Sequence, residues 1–178
     1  MAVFGSGGIG LNVIQGGGLV EPHPIIAVDV NQSKLEYAMS MGASHTVDAS
    51  KHDPVEAIKD ITGRGADYSF VAVGEASVIN QAWNCLAPAG MRVLIGLPAT
   101  GSIVTFDTWN LQAGERMIKG CKYGSARTWE DFPRMVELYL AGKLKIDELI
   151  TNRYDLEDAN EAFRALAAGE VARGLIVF

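Results

Sequence analysis

The stretch Val3-Phe4-Gly5-Ser6-Gly7-Gly8-Ile9-Gly10 leaves the chain around it few ways to fold. The end of an apolar strand runs into a glycine turn and then into a helix with apolar residues at Ile9, Val13 and Ile14, a helical spacing. Gly5, Gly7 and Gly10 fall at the G-x-G-x-x-G spacing. The first glycine allows a tight turn, the second lets the backbone approach a pyrophosphate, and the third lets helix and strand pack closely. The helix N-terminus then offers free N–H groups and a partial positive charge to phosphates. Glycines cluster in many turns, so the loop alone decides little. Asp29 gives it a partner, 19 residues after Gly10 and at the end of the apolar run Ile25-Ile26-Ala27-Val28. An acidic residue there takes the ribose hydroxyls of an adenosine. Its carboxylate also repels a 2′-phosphate, which favours NAD over NADP. Asn31 and Lys34 at the head of the next helix either reach the same ribose or are simply solvated helix-start residues; both readings stand.

Beyond the loop, strand and helix patterns alternate. Strands are expected at Ala2–Phe4, Ile25–Val30, His45–Val47, Ala66–Val73, Met91–Ile95 and Arg116–Lys122, with a β-branched run at Ile103–Phe106. Helices are expected from Ile9 to Gln15, stopped by Gly16-Gly17-Gly18, and at Asn31–Met41, Asp53–Thr62 and Val78–Leu86. The alternation implies an α/β fold, a doubly wound parallel (Rossmann) sheet over residues 1–122. In such a sheet ligands bind outside the carboxyl ends of the strands. That makes Gly74 and Gly96, which follow two strands, candidates for nucleotide contact; the alternative is a plain turn. Residues 123–178 break the pattern. An amphipathic helix at Thr128–Ala141, a mixed extended segment at Ile146–Tyr154, a helix at Leu156–Ala168 capped by Asp155 and a strand at Arg173–Phe178 read as a lid or part of a second domain. The first strand is short for a central buried strand, so further native sequence is expected upstream.

Composition excludes several partners. Net charge is −6, without basic clusters, which argues against nucleic acid and anionic membranes. No apolar run approaches the roughly 20 residues that span a bilayer. Cys85 and Cys121 lie far apart and lack metal-ligand spacing, so they read as buried free thiols of a reducing, cytoplasmic compartment. His23, His45 and His52 are scattered, whereas zinc needs three or four clustered ligands. No Tyr-x-x-x-Lys pair is present. The chain therefore has the makings of a dinucleotide site and, alone, no catalytic or metal residue to assign.

With these residues in view, the sequence resembles the zinc-dependent alcohol dehydrogenases of the medium-chain dehydrogenase/reductase superfamily. The resemblance rests on Val3 to Leu11, Ile26-Ala27-Val28-Asp29-Val30-Asn31 with Lys34, Met41-Gly42-Ala43, Ala66 to Phe70, Ile95-Gly96-Leu97-Pro98, Lys119-Gly120 and Gly169 to Gly174. It implies that Gly5, Gly7, Gly8, Ile9 and Gly10 hold the pyrophosphate, and Asp29 and Lys34 the adenosine ribose. It further implies that Val30 and Val73 sandwich the adenine, that the backbone of Ile95, Leu97 and Tyr123 meets the nicotinamide carboxamide, and that Arg173 reaches the pyrophosphate. Family dimers pair an edge strand across the two-fold axis, and Ile103–Asp107 is the matching segment, so a homo-oligomer is expected. The family's zinc ligands precede the glycine loop and have no counterpart here. The resemblance thus implies the NAD-binding portion of an alcohol dehydrogenase acting on an alcohol or aldehyde, with zinc in the parent enzyme and residues 123–178 as the tail of its catalytic domain. A non-enzymatic NAD-binding or dimerisation module is the alternative. An S-adenosylmethionine methyltransferase is weaker, since Phe4 and the wider glycine spacing speak against it.

Overall fold

A computed structural model describes all of residues 1–178. The chain divides into two compact units, Met1–Ala126 and Arg127–Phe178. The first is built from β1 (Ala2–Phe4), α1 (Gly8–Gly18), β2 (Ile26–Asp29), α2 (Gln32–Ser40), β3 (His45–Asp48), α3 (Pro54–Thr62), β4 (Ala66–Val71), α4 (Ala76–Asn84), β5 (Leu86–Leu94), α5 (Thr108–Ala113) and β6 (Met117–Gly120). Its strands form one sheet in the order β3-β2-β1-β4-β5-β6, parallel throughout. This is the doubly wound order, and it reverses direction between β1 and β4.

β1 is the central strand despite its three residues, paired through Ala2, Val3 and Phe4 with β2 on one side and β4 on the other. All three side chains are buried, as a strand covered by helices on both faces requires. Phe4, Ile26, Val28, Val47, Val71 and Ile58 form the core, with Ile79 and Ala82 from α4. Local chemistry sets the helix limits. Asn31 caps α2 by accepting from the Ser33 N–H (3.0 Å), and Asp53 caps α3 through the Val55 N–H (2.8 Å). Gly63 ends α3 in the left-handed region.

Several expectations are corrected. The triple glycine does not stop α1, which runs on through Gly18. A Cβ at Gly17 would come within 2.8 Å of the Met1 side chain, so these glycines let the helix end lie against the start of the sheet. α4 ends at Asn84, and β5 begins directly at Leu86. The segment expected to separate them, Ala87 to Gly90, is a bulge inside β5. β4 advances from Ala66 to Tyr68 while β5 advances from Leu86 to Met91. Ile103–Phe106 is irregular rather than extended sheet, and the short helix α5 follows it, capped by Asp107.

The second unit contains α6 (Thr128–Leu140), β7 (Asn152–Asp155), α7 (Ala159–Ala167) and β8 (Gly174–Val177). β7 and β8 pair in parallel. Single 3-10 turns occupy Asp147–Leu149 and Leu156–Asp158. The first interrupts the expected extended segment. The second precedes α7, where Asp155 makes no side-chain capping bond. Leu149, Ala165 and Val171 are the buried apolar residues of this unit.

Candidate cofactor-binding site

The glycine loop joins β1 to α1 at the carboxyl edge of the sheet. Gly5 has φ +91°, a conformation that excludes most L side chains, and its N–H donates to the Val28 carbonyl at 2.8 Å. A Cβ at Gly10 would lie 1.7 Å from the Gly5 carbonyl oxygen, so α1 is seated on the loop with no room for a methyl group. Gly7 differs. A Cβ there would meet nothing within 4 Å, and Gly7 caps α1 with no side-chain bond to its first N–H groups. The loop therefore has a packed floor and an open, donor-rich mouth. Gly8 and Ile9 form the first turn of α1, and Ile9 is 52% exposed.

Asp29 ends β2 beside this mouth. Its Oδ2 accepts from the Ser6 N–H at 2.7 Å and its Oδ1 from the Asn31 N–H at 3.0 Å. The carboxylate thus joins the glycine loop to the β2–α2 turn, and both oxygens are held in place. The structure brings together the loop, Asp29 and Asn31. The Asn31 side-chain oxygen Oδ1 is engaged by Ser33 as the helix cap. Lys34 is half-buried in the first turn of α2.

The other candidates sit after the remaining strands. Val30 follows β2 and is exposed, Val73 follows β4 half-buried against the core, and Ile95 and Leu97 follow β5. Leu97 and the Tyr123 side chain, beyond β6, are almost fully exposed. Gly74 and Gly96 serve packing: a Cβ at Gly74 would lie 2.4 Å from the Leu97 carbonyl oxygen, and one at Gly96 2.3 Å from that of Val73. The loops after β4 and β5 press on each other there. Arg173 belongs to the second unit. Its backbone carbonyl accepts from the Thr151 N–H at 3.0 Å, and it lines a cavity of about 300 Å³ with Phe163, Leu166, Val171 and Ile176.

A family model described as zinc-binding dehydrogenase matches residues 8–141. The chain belongs to the zinc-binding dehydrogenase family. It is 38% identical over 185 residues to the class-3 alcohol dehydrogenase of Cereibacter sphaeroides, a match covering 99% of this chain and 49% of that relative. The structure resembles benzyl alcohol dehydrogenase from Acinetobacter calcoaceticus with a TM-score of 0.95 and 30% identity, over 98% of this chain and 48% of the other. It also resembles a zinc-binding dehydrogenase from Sinorhizobium meliloti bound to NADP, with a TM-score of 0.82 and 27% identity, over 90% and 47% of the two chains. The chain spans about half the length of the curated relatives it matches.

For a member of the zinc-binding dehydrogenases, the two family groups fare differently on these residues. A nicotinamide dinucleotide fits: the mouth at Gly7 is open, the first turn of α1 is uncapped, and the acid at Asp29 is ordered. The Ser6 hydroxyl beside them is buried without a hydrogen-bond partner. Zinc does not fit, because no three His, Cys, Asp or Glu side chains group so as to hold a metal ion. Sequence reading passed over Ser6, whose N–H ties the loop to Asp29. It also passed over Asp48, which ends β3 in register with Asp29. Lys51, 2.6 Å away, holds the Asp48 carboxyl down to about 2, and Ser50 adds two hydrogen bonds. The visible signal was a third strand ending on an acid, as the second does.

Proposed function

We propose that this chain is the NAD-binding portion of a zinc-type alcohol dehydrogenase that transfers hydride between an alcohol and NAD. The single observation that carries the reading is the open, uncapped start of α1 at Gly7 with the Asp29 carboxylate locked beside it by the Ser6 N–H (2.7 Å). Gly5, Gly7, Gly8, Ile9 and Gly10 hold the pyrophosphate, their N–H groups and the helix dipole supplying the positive end of the interaction. Asp29 accepts the adenosine ribose hydroxyls, with Lys34 and Asn31 alongside. Val30 and Val73 flank the adenine. The backbone of Ile95, Leu97 and Tyr123 orients the nicotinamide carboxamide. When bound, the nicotinamide supplies the hydride acceptor. This chain offers zinc no ligand set, and none of these roles involves it.

NAD is proposed over NADP because a carboxylate at Asp29 meets a 2′-phosphate with like charge. Ile103–Asp107 is proposed as the contact between two copies. Ile103 is 81% exposed there, and a β-branched run with free backbone groups can pair with its twin. No helix is long and apolar enough to cross a membrane, and the free thiols Cys85 and Cys121 fit a cytoplasmic location. Competitive titration tests the whole reading. NADH should bind saturably and more tightly than NADPH or S-adenosylmethionine. Preference for NADPH would overturn the role of Asp29, and preference for S-adenosylmethionine would overturn the dehydrogenase reading.

A further inference from the structure

β3 ends on Asp48, the register partner of Asp29 on β2. The two residues are therefore one strand spacing apart, about 4.8 Å. The Ala49 N–H donates to the Asp29 carbonyl at 2.9 Å, which fixes the end of β3 against the end of β2. The chain then turns at once, with the Lys51 and His52 N–H groups donating to the Asp48 carbonyl at 3.1 and 3.0 Å. That turn carries the Lys51 ammonium to 2.6 Å from Asp48 Oδ2. Asp48 Oδ1 accepts from the Ser50 N–H at 2.9 Å and the Ser50 hydroxyl at 2.5 Å. The Asp48 side chain is 10% exposed and that of Lys51 62%. A fixed, covered carboxylate thus holds an exposed ammonium at the edge of the region assigned to the adenosine ribose. Nearby Asp53 is engaged as the cap of α3, and the Lys34 side chain lies at the head of α2.

We propose that the Asp48–Lys51 pair is a second determinant of cofactor choice: Asp48 neutralises the cation that would otherwise meet a 2′-phosphate beside Asp29. The proposal rests on the reading that Asp29 takes the adenosine ribose. NADP differs from NAD there by one phosphate group, carrying about −1.5 to −2 charge at neutral pH. Such a group needs a compensating cation, and a lysine serves as a point charge. With Asp48 in place, Lys51 is already paired and the strand ends carry the net negative charge of Asp29. Without Asp48, Lys51 offsets Asp29 and leaves an exposed ammonium free to turn toward the phosphate. The pairing with Lys51 keeps Asp48 ionised down to about pH 2, so the neutralisation holds throughout the neutral range. Cofactor choice is then set by two acids on adjacent strands rather than by one.

The test is the ratio of NADPH to NADH affinity, measured by nucleotide fluorescence on the full chain at about 10 mM ionic strength, where the screening length is about 30 Å. Asp48→Asn should raise that ratio at least fivefold. Adding Lys51→Ala to it should return the ratio to within twofold of the unsubstituted chain. A ratio unmoved by Asp48→Asn overturns the proposal, and so does a gain that survives in the double variant, since the cation would then be another. Lys51→Ala alone, at an exposed side chain, serves if Asp48→Asn fails to fold. It leaves Asp48 uncompensated and should lower the ratio at least twofold, and an unchanged ratio overturns the proposal. A chain that binds neither nucleotide fails at an earlier step: it overturns the dinucleotide reading itself, and the proposal with it.

Discussion

A methyl group added at Gly10 would meet the Gly5 carbonyl oxygen at 1.7 Å, while one added at Gly7 would meet nothing within 4 Å. Two glycines of one motif thus serve different ends, the first packing and the second access. Gly10→Ala should destabilise the chain by about 1–3 kcal/mol or more, because backbone cannot move aside as a flexible side chain would. Chemical denaturation measures this as a lower midpoint. The glycine spacing and Asp29 were legible in the sequence because each is forced by close approach or by charge. Gly74 and Gly96 read equally as nucleotide contacts or plain turns, because the sequence does not reveal that the loops after β4 and β5 press on each other. Cys85 bears on the same scale. Burial pushes its thiol up to about 12, so the native protein should resist alkylation near pH 8, where the half-buried Cys121 reacts first. Labelling of Cys85 in step with Cys121 would contradict its burial. Because the unfolded thiol ionises near its ordinary value of 9, stability should fall as pH rises from about 9 to about 12.

At the scale of elements, α4 and β5 meet around Trp83, which is 1% exposed. The guanidinium carbons of Arg92 and Arg116 lie 5.3 and 5.6 Å from its ring centroid, and Phe106 packs at 5.2 Å. The two arginines are held by carbonyls: Arg92 donates to Ile79 at 3.0 Å and Arg116 to Leu86 at 2.6 Å. Trp83 therefore joins α4, β5, the residue just before β6 and the segment before α5. Trp83→Ala should cost about 3–5 kcal/mol, read by denaturation, and a cost under about 1 kcal/mol would show that the cluster carries little. None of this was visible in the pattern of apolar residues, since an arginine in a strand reads as solvent-facing. The bulge in β5 was misread for a related reason. Ala87-Pro88-Ala89-Gly90 has the composition of a turn, and only the pairing of Leu86 and Met91 with β4 makes it a detour within one strand. α5, with six residues, is too short to show a helical period.

At the scale of the whole molecule, the parallel sheet was legible because strands and helices alternate at short intervals and right-handed crossovers leave few other arrangements. The division of the chain fell between Ala126 and Arg127, a few residues beyond the point where alternation fails. The strained run Tyr123-Gly124-Ser125, all at positive φ, belongs to the first unit and reads poorly from sequence. In the second unit, Phe132, Phe163 and Leu166 are each more than half exposed. Tyr139 beside them is half-buried, and its hydroxyl donates to Asp147 at 2.6 Å. Apolar surface of this kind drives association. Light scattering at high concentration should give a mass above the 19.0 kDa monomer, and a monodisperse monomer would count against it. On the proposed function, the open mouth of the glycine loop holds a nicotinamide dinucleotide. Calorimetric titration with NADH of the unsubstituted chain and of Gly7→Ala tests it most directly. Gly7→Ala meets no neighbour, so its stability should stay within about 0.5 kcal/mol while its NADH affinity falls at least tenfold. Equal NADH affinity in the two proteins, or no saturable binding by the unsubstituted chain, would contradict the claim.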